Sequence, residues 1–225
     1  MYYLVANWKS EMDFHQVKAW CFTFLDSINY DIGNLNQQEI KVILGPSYLY
    51  LRFVQQTFSR IPFIYIASQD VSPLGKGKYT GFVPAESVKD FCEYAIVGHS
   101  ERRKHARESE EEIKKKLAEC KKHGVKTILC VRETKDQLYA SDIVAYEPVE
   151  AIGTGANADA THVVEMKKKL KPAKGQAYLY GGSADDKNID DYLATGEVDG
   201  FLVGTASLDP KKFFAMFQKM LGNER

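Results

Sequence analysis

Three side chains suited to proton transfer each follow a short apolar run. Lys9 comes after residues 2–6, His99 after residues 94–97, and Glu147 after residues 143–146. A carboxylate, an imidazole and an ammonium form a set that could abstract a proton next to a carbonyl: the carboxylate takes it, and the two cation-capable groups stabilise the oxyanion. Glu147 is followed by Pro148, which has no N–H for a β-ladder and so turns the chain. A stretch through Gly153 and Gly155 comes next, and such a loop over apolar neighbours can desolvate the carboxylate and strengthen it as a base. Three further groups, Gly153, Gly181-Gly182-Ser183 and Gly204-Thr205, let backbone amides approach an anion closely. Taken singly, Lys9 is as readily a surface lysine, His99 a hydrogen-bonded structural histidine, and Gly181-Gly182-Ser183 an ordinary turn. Their shared position, just past successive strands, is what points to one site.

The elements that must position these groups alternate throughout the chain. Strand-like runs cover residues 2–6, 42–44, 63–68, 94–97, 126–131, 143–146, 177–180 and 201–203. Helical patterns lie between most of them. One carries Phe14, Val17, Cys21, Phe24, Leu25 and Ile28 on one face, and others cover residues 48–58 and 85–91. Ser109 and Glu112 form a capping-box pattern opening a charged helix that ends at Gly124. Its Glu110/Lys114, Glu111/Lys115 and Glu112/Lys116 pairs have the spacing of a solvated face. The connection of about a dozen residues between the fifth and sixth strands leaves room for one or two helical turns. Val163, Met166 and Leu170 mark a further helix, and residues 188–195 another. Asp209-Pro210 caps and opens the last, whose apolar face holds Phe213, Phe214, Phe217, Met220 and Leu221. Eight strands alternating with connections, with no compositional break, predict an α/β fold: a single-domain (β/α)8 barrel over residues 1–225. In that fold the strand C-termini converge on one face, and the loops after the seventh and eighth strands commonly bind phosphate.

Composition narrows the function. The 225 residues have zero formal net charge and 44% hydrophobic content, which argues against disorder and against a broad nucleic-acid or membrane-surface footprint. No apolar run approaches the ~20 residues of a membrane span. Cys21, Cys92, Cys120 and Cys130 form no C-x-x-C pair, and the five histidines show no metal-ligand spacing. The expectation is a reduced, cytoplasmic chain without metal.

Several stretches resemble the triosephosphate isomerase family: Asn7-Trp8-Lys9, residues 95–103 (Ala-Ile-Val-Gly-His-Ser-Glu-Arg-Arg), residues 145–149 and 151–155, Tyr180-Gly181-Gly182-Ser183, and residues 199–204. The resemblance implies interconversion of dihydroxyacetone phosphate and D-glyceraldehyde 3-phosphate, a glycolytic and gluconeogenic step, without a cofactor. By that resemblance Glu147 is the base and His99 a neutral-imidazole electrophile, a property the family is known for. Lys9 supports the phosphate and the developing charge, and Asn7 hydrogen-bonds the substrate. Gly153, Ser183 and Gly204 bind phosphate, with the Thr205 amide beside them. Glu101 and Ser100 are supporting neighbours, Glu101 as the partner of Lys9. Residues 148–156 correspond to a lid that excludes water.

The chain departs from the family at Glu150, where Trp is usual, at Ala156 for Lys, at Thr205 for a second glycine, and at Arg132 for glycine. A carboxylate at Glu150 within ~9 Å of the phosphate would repel it by roughly 2 kcal/mol per charge at an effective dielectric of ~20. The resemblance therefore implies weaker lid closure. The short connection between the fifth and sixth strands is similar to the compact, archaeal-type branch, whose members are commonly tetramers. The loop bounded by Gln69 and Gly81, with Thr80-Gly81, resembles the one that inserts into a neighbouring subunit. The implied assembly is a homodimer, with a homotetramer as the alternative. Two rival readings stand beside this one: another small phosphosugar isomerase, and a catalytically weak phosphate-binding barrel.

Overall fold

The computed structural model of the protein describes residues 1–31, 40–148 and 158–222. Eight parallel strands close into a barrel in sequence order: β1 (Tyr2–Asn7), β2 (Ile40–Gly45), β3 (Ile64–Ser68), β4 (Tyr94–Val97), β5 (Lys126–Val131), β6 (Ile143–Tyr146), β7 (Ala177–Tyr180) and β8 (Gly200–Val203). Closure pairs β1 with β8, where Tyr3 lies opposite Gly200. Gly200 has φ 144°, and a Cβ there would lie 1.8 Å from the Tyr3 carbonyl oxygen, so only glycine lets the seam close.

Alternation along each strand separates two apolar layers. Val5, Ile43, Ala67, Ile96, Ile128, Ala145, Leu179 and Leu202 form one core cluster with Cys130. Their strand neighbours, such as Leu4, Val42, Leu44, Val97, Val144 and Tyr180, belong to a second cluster that includes helix residues. The helices are α1 (Phe14–Asp31), α2 (Leu51–Phe58), α3 (Ala85–Val88), α4 (Ser100–His105), α5 (Glu110–His123), α6 (Ala160–Leu170), α7 (Ile189–Leu193) and α8 (Pro210–Leu221). The α8 face buries Phe213, Met216, Phe217 and Met220, while Phe214 and Leu221 pack at its margin. Asp209 caps that helix by accepting from the Lys211 and Lys212 amides, with Pro210 in the first turn.

The structure departs from the sequence reading in three places. The short helix α4 begins directly after His99, a boundary that no apolar period announces. The connection between β5 and β6 contains no helix. Asp136 closes it as a turn, accepting from the Arg132 amide at 2.8 Å and gripping its guanidinium through two further bonds of 2.9 and 2.6 Å. The charged helix α5 has the expected Ser109/Glu112 capping box and a left-handed Gly124 at its end, but its charges are not all solvated. Glu111 and Lys115 form the exposed pair. Glu110 instead meets Arg103, and Lys116 points inward at 3% exposure to meet Glu108 and Asp70.

The Lys116 cluster is a buried ionic node. Its ammonium binds Asp70 at 2.6 Å and also contacts Glu108, while Arg102 binds the other Asp70 oxygen at 2.8 Å. Burial pushes the Glu108 carboxyl above its ordinary range, and Lys116 only partly offsets this. Removing the ammonium would leave a carboxylate buried without its partner. Lys116→Met is therefore expected to cost about 3–5 kcal/mol in urea unfolding, with part recovered in Lys116→Met/Glu108→Gln. A loss below ~1 kcal/mol, as for an exposed pair, would show that the node is solvated.

Candidate active site

The groups that follow β1, β4 and β6 meet at the C-terminal mouth of the barrel. Glu147 directly follows β6, is 2% exposed, and is aimed at β4. One of its oxygens lies 2.9 Å from His99 Nε2, and the other accepts the Ser100 amide at 2.9 Å. His99 directly precedes α4, and the Glu101 amide in the first turn donates to Nδ1 at 3.2 Å. That bond needs a lone pair on Nδ1. The proton of a neutral ring then sits on Nε2, where it donates to Glu147.

Burial pulls the proton affinity of His99 down, but the Glu147 and Glu101 carboxylates pull it up and prevail. Burial likewise pushes Glu147 up, and the nearby ring and Ser100 amide more than offset it, so Glu147 titrates below its ordinary value. The two shifts are opposite in direction and have one cause: each partner stabilises the charged form of the other.

Lys9 reaches the same place from β1. Its ammonium binds Glu101 at 2.7 Å, and Asn7 Nδ2 lies 3.2 Å from His99 Nε2. The Lys9 backbone is left-handed, φ 51°, a conformation that costs a non-glycine residue about 1–2 kcal/mol. Two side chains hold it there. Asn7 Oδ1 accepts the Lys9 amide at 3.1 Å, and Gln69 Nε2 donates to the carbonyls of Lys9 and Gly45 at 2.8 and 2.9 Å. Sequence reasoning gave Gln69 no role beyond marking the start of a loop. The available signal was the one that singled out Asn7 and His99: a polar residue within two positions of a buried strand's end.

The glycine loops border these groups. A Cβ on Gly204 would lie 3.3 Å from Lys9 Cε, and one on Gly181 would lie 3.0 Å from Glu147 Cγ. Ser183 follows Gly182, and its carbonyl accepts from the Asn188 side chain at 2.9 Å. Thr205 is exposed and opens a short 3-10 turn, Thr205–Leu208. Thus Asn7, Lys9, His99, Ser100, Glu101 and Glu147 are linked by direct contacts, and Gly181 and Gly204 abut them. Gly153, Glu150 and Ala156, with residues 149–156 of the expected lid, lie outside the described residues. Arg132, at the unusual position after β5, reaches Arg103 through Asp136, and Arg103 Nε donates to the Gly98 carbonyl just before His99 at 2.8 Å.

The four cysteines are buried free thiols. Among the described residues no cluster of three or more His, Cys, Asp or Glu could hold a metal ion, and no helix is long and apolar enough to cross a membrane.

The chain as a whole matches known proteins. A family model described as triosephosphate isomerase matches residues 2–220. The chain is 34% identical to the triosephosphate isomerase of Thermodesulfovibrio yellowstonii over 243 aligned positions, covering 94% of this chain and 96% of that one. It is 31% identical to the same enzyme of Mycoplasma pneumoniae, covering 96% and 97%. For Mesomycoplasma hyopneumoniae strain 7448 the identity is 29%, covering 93% and 96%.

The Glu147–His99 pairing has a pH signature. A carboxyl held low contributes stability that is fully present above its ordinary value and is lost as pH falls through the lowered one. In His99→Ala burial persists without the ring, so the Glu147 titration is expected to move up. Carbon-13 NMR of labelled glutamate carboxyls would read both midpoints. A wild-type Glu147 titrating at or above the ordinary glutamate value would contradict the pairing.

Proposed function

We infer that this chain, which belongs to the triosephosphate isomerase family, performs that family's proton transfer through Glu147, His99 and Lys9. It is an isomerase and its substrate is a triose phosphate. The observation that carries the assignment of roles is the 2.9 Å contact between His99 Nε2 and the buried Glu147 carboxylate, with the Lys9 ammonium one carboxylate away.

The chemistry follows from what a substrate would displace. Without it, the His99 Nε2–H is spent on Glu147. A carbonyl oxygen entering between Asn7, Lys9 and His99 takes that hydrogen bond and frees the carboxylate to face a carbon-bound proton. Losing its partner while remaining buried raises the proton affinity of Glu147, so the base strengthens as substrate binds. The enediolate charge develops on oxygens facing Nε2–H and the ammonium, donors already in place before the reaction. Glu147 returns the proton to the neighbouring carbon, while His99 Nε2 gives its proton to the oxygen that becomes the hydroxyl and takes one from the oxygen that becomes the carbonyl, so both groups end as they began. Amides around Ser183, Gly204 and Thr205, with those of Gly153, hold the phosphate.

We assign the assembly to a homodimer, with a tetramer as the alternative. Supporting this, the loop bounded by Gln69 and Gly81 and the residue after it expose Tyr79 and Phe82, whose rings meet edge to face. Leu49, 85% exposed, and Phe14 add uncovered apolar surface. Side chains of this size left in water are what an oligomer interface would bury.

A coupled isomerase assay tests the roles. Glu147→Gln keeps the shape and removes the base, so kcat should fall by about 10²–10⁴; undiminished turnover would remove Glu147 from the mechanism. Light scattering tests the assembly. A dimer is expected for the wild type and a shift toward monomer for Tyr79→Asp/Phe82→Asp, whereas a monomeric wild type would defeat the assignment.

A further inference from the structure

Two tyrosines beside the glycine loop after β7 form a hydrogen-bonded arrangement that neither the motifs nor the mechanism uses. Tyr180 ends β7, and Tyr192 lies on α7. Both are buried, and their rings stack at 4.5 Å with 25° between planes. Tyr192 Oη donates to the Ala158 carbonyl at 2.6 Å, and the Ala158 amide donates to Tyr180 Oη at 3.1 Å. Ala158 thus bridges the two stacked phenols: its N–H donates to Tyr180 and its carbonyl accepts from Tyr192.

This bridge touches the loop assigned to the phosphate. A Cβ on Gly182 would fall 2.2 Å from Tyr180 Oη, so the hydroxyl lies directly against the Gly182 backbone. The next residue, Ser183, is tied to the start of α7 through Asn188, and Tyr192 stands on that same helix. One dry, stacked pair thus fixes Gly182 relative to Ala158 and α7. Removing the Tyr192 hydroxyl would leave the Ala158 carbonyl without this donor and the bridge to Tyr180 held at one end only.

We propose that Tyr192 is a positioning residue for phosphate recognition: through Tyr180 and Ala158 it fixes the backbone at Gly182-Ser183 that receives the phosphate oxygens. It touches no reacting atom. The proposal rests on the reading of the Ser183 loop as part of the phosphate site.

Tyr192→Phe keeps the stacked ring and deletes the hydroxyl. Steady-state kinetics would compare D-glyceraldehyde 3-phosphate with D-glyceraldehyde, which lacks the phosphate, and would measure inhibition by inorganic phosphate. For the phosphorylated substrate kcat/KM should fall about tenfold, mainly through KM, and inorganic phosphate should inhibit correspondingly more weakly. Turnover of D-glyceraldehyde should be unchanged. Equal losses on both substrates would show a general structural role and overturn the proposal, as would no loss on either. A wild type that isomerises neither substrate would instead defeat the assigned reaction. Should the variant fold poorly, amide exchange in the wild type gives an independent reading: Ala158 should be protected, and exchange at the rate of an open peptide would overturn the bridge and the proposal with it.

Discussion

A buried carboxylate has to be met by donors, and in this barrel meeting Glu147 organises the mouth. At 2% exposure its charge is tolerable only because the His99 ring and the Ser100 amide face it. Those donors belong to the turn out of β4, so the ends of β4 and β6 are held together across β5. The requirement also decides where α4 starts. Its first turn must present one amide to Glu147 and the next to His99 Nδ1, and a helix start is where consecutive amides lack partners of their own. What secondary structure leaves unsatisfied at the end of one element, the site uses in the next.

The ammonium obeys a similar constraint through the backbone. Lys9 stands against Gly204 and reaches Glu101 from a left-handed residue. Ordinary lysine geometry disfavours that state, so the cost has to be offset nearby. Asn7 takes the amide and Gln69 the carbonyl, leaving both peptide groups of a strained residue hydrogen-bonded. Strain at Lys9 is thus an outcome of where the ammonium must be, sustained by residues from the ends of two strands.

Much of this was legible in the chain itself, for identifiable reasons. The strands were readable because both faces of a barrel strand are apolar, which leaves short runs punctuated by polar residues. Asn7, Lys9 and His99 stood out because polar groups directly after such runs need a reason, and Glu147 because proline follows it. The Ser109 capping box was a local signal and formed as written. Long-range electrostatics was the illegible part. Lys116 has the spacing of an exposed i,i+4 partner, and only the fold brings Asp70 across to it from 46 positions away. The same holds for α4, whose six residues carry almost no apolar period, and for Tyr192, which reads as an ordinary buried face residue until Ala158 lies beneath its hydroxyl. In the turn between β5 and β6, the room for a helix was taken instead by Asp136 binding Arg132, a side-chain contact stronger than a short helix could supply.

The loop after β3 ties these constraints together. Its first residue, Gln69, grips the Lys9 carbonyl; its second, Asp70, binds Arg102, which neighbours Glu101, the partner of the Lys9 ammonium. Lys116 anchors Asp70 from beneath, and Tyr48 donates to the Asp70 carbonyl at 2.5 Å. Displacing these two residues would have to move the Lys9 backbone at one end or the start of α4 at the other. The exposed rings of Tyr79 and Phe82 sit farther along the same connection, which the Ser72 amide fastens back to the Val83 carbonyl at 2.8 Å. A force applied to that apolar tip is therefore borne by a closed loop whose base is the scaffold of the ammonium and imidazole. Folding and the placing of the Lys9 ammonium and the His99 ring share these contacts, so the buried charges around Lys116 cannot be weighed as folding energy alone.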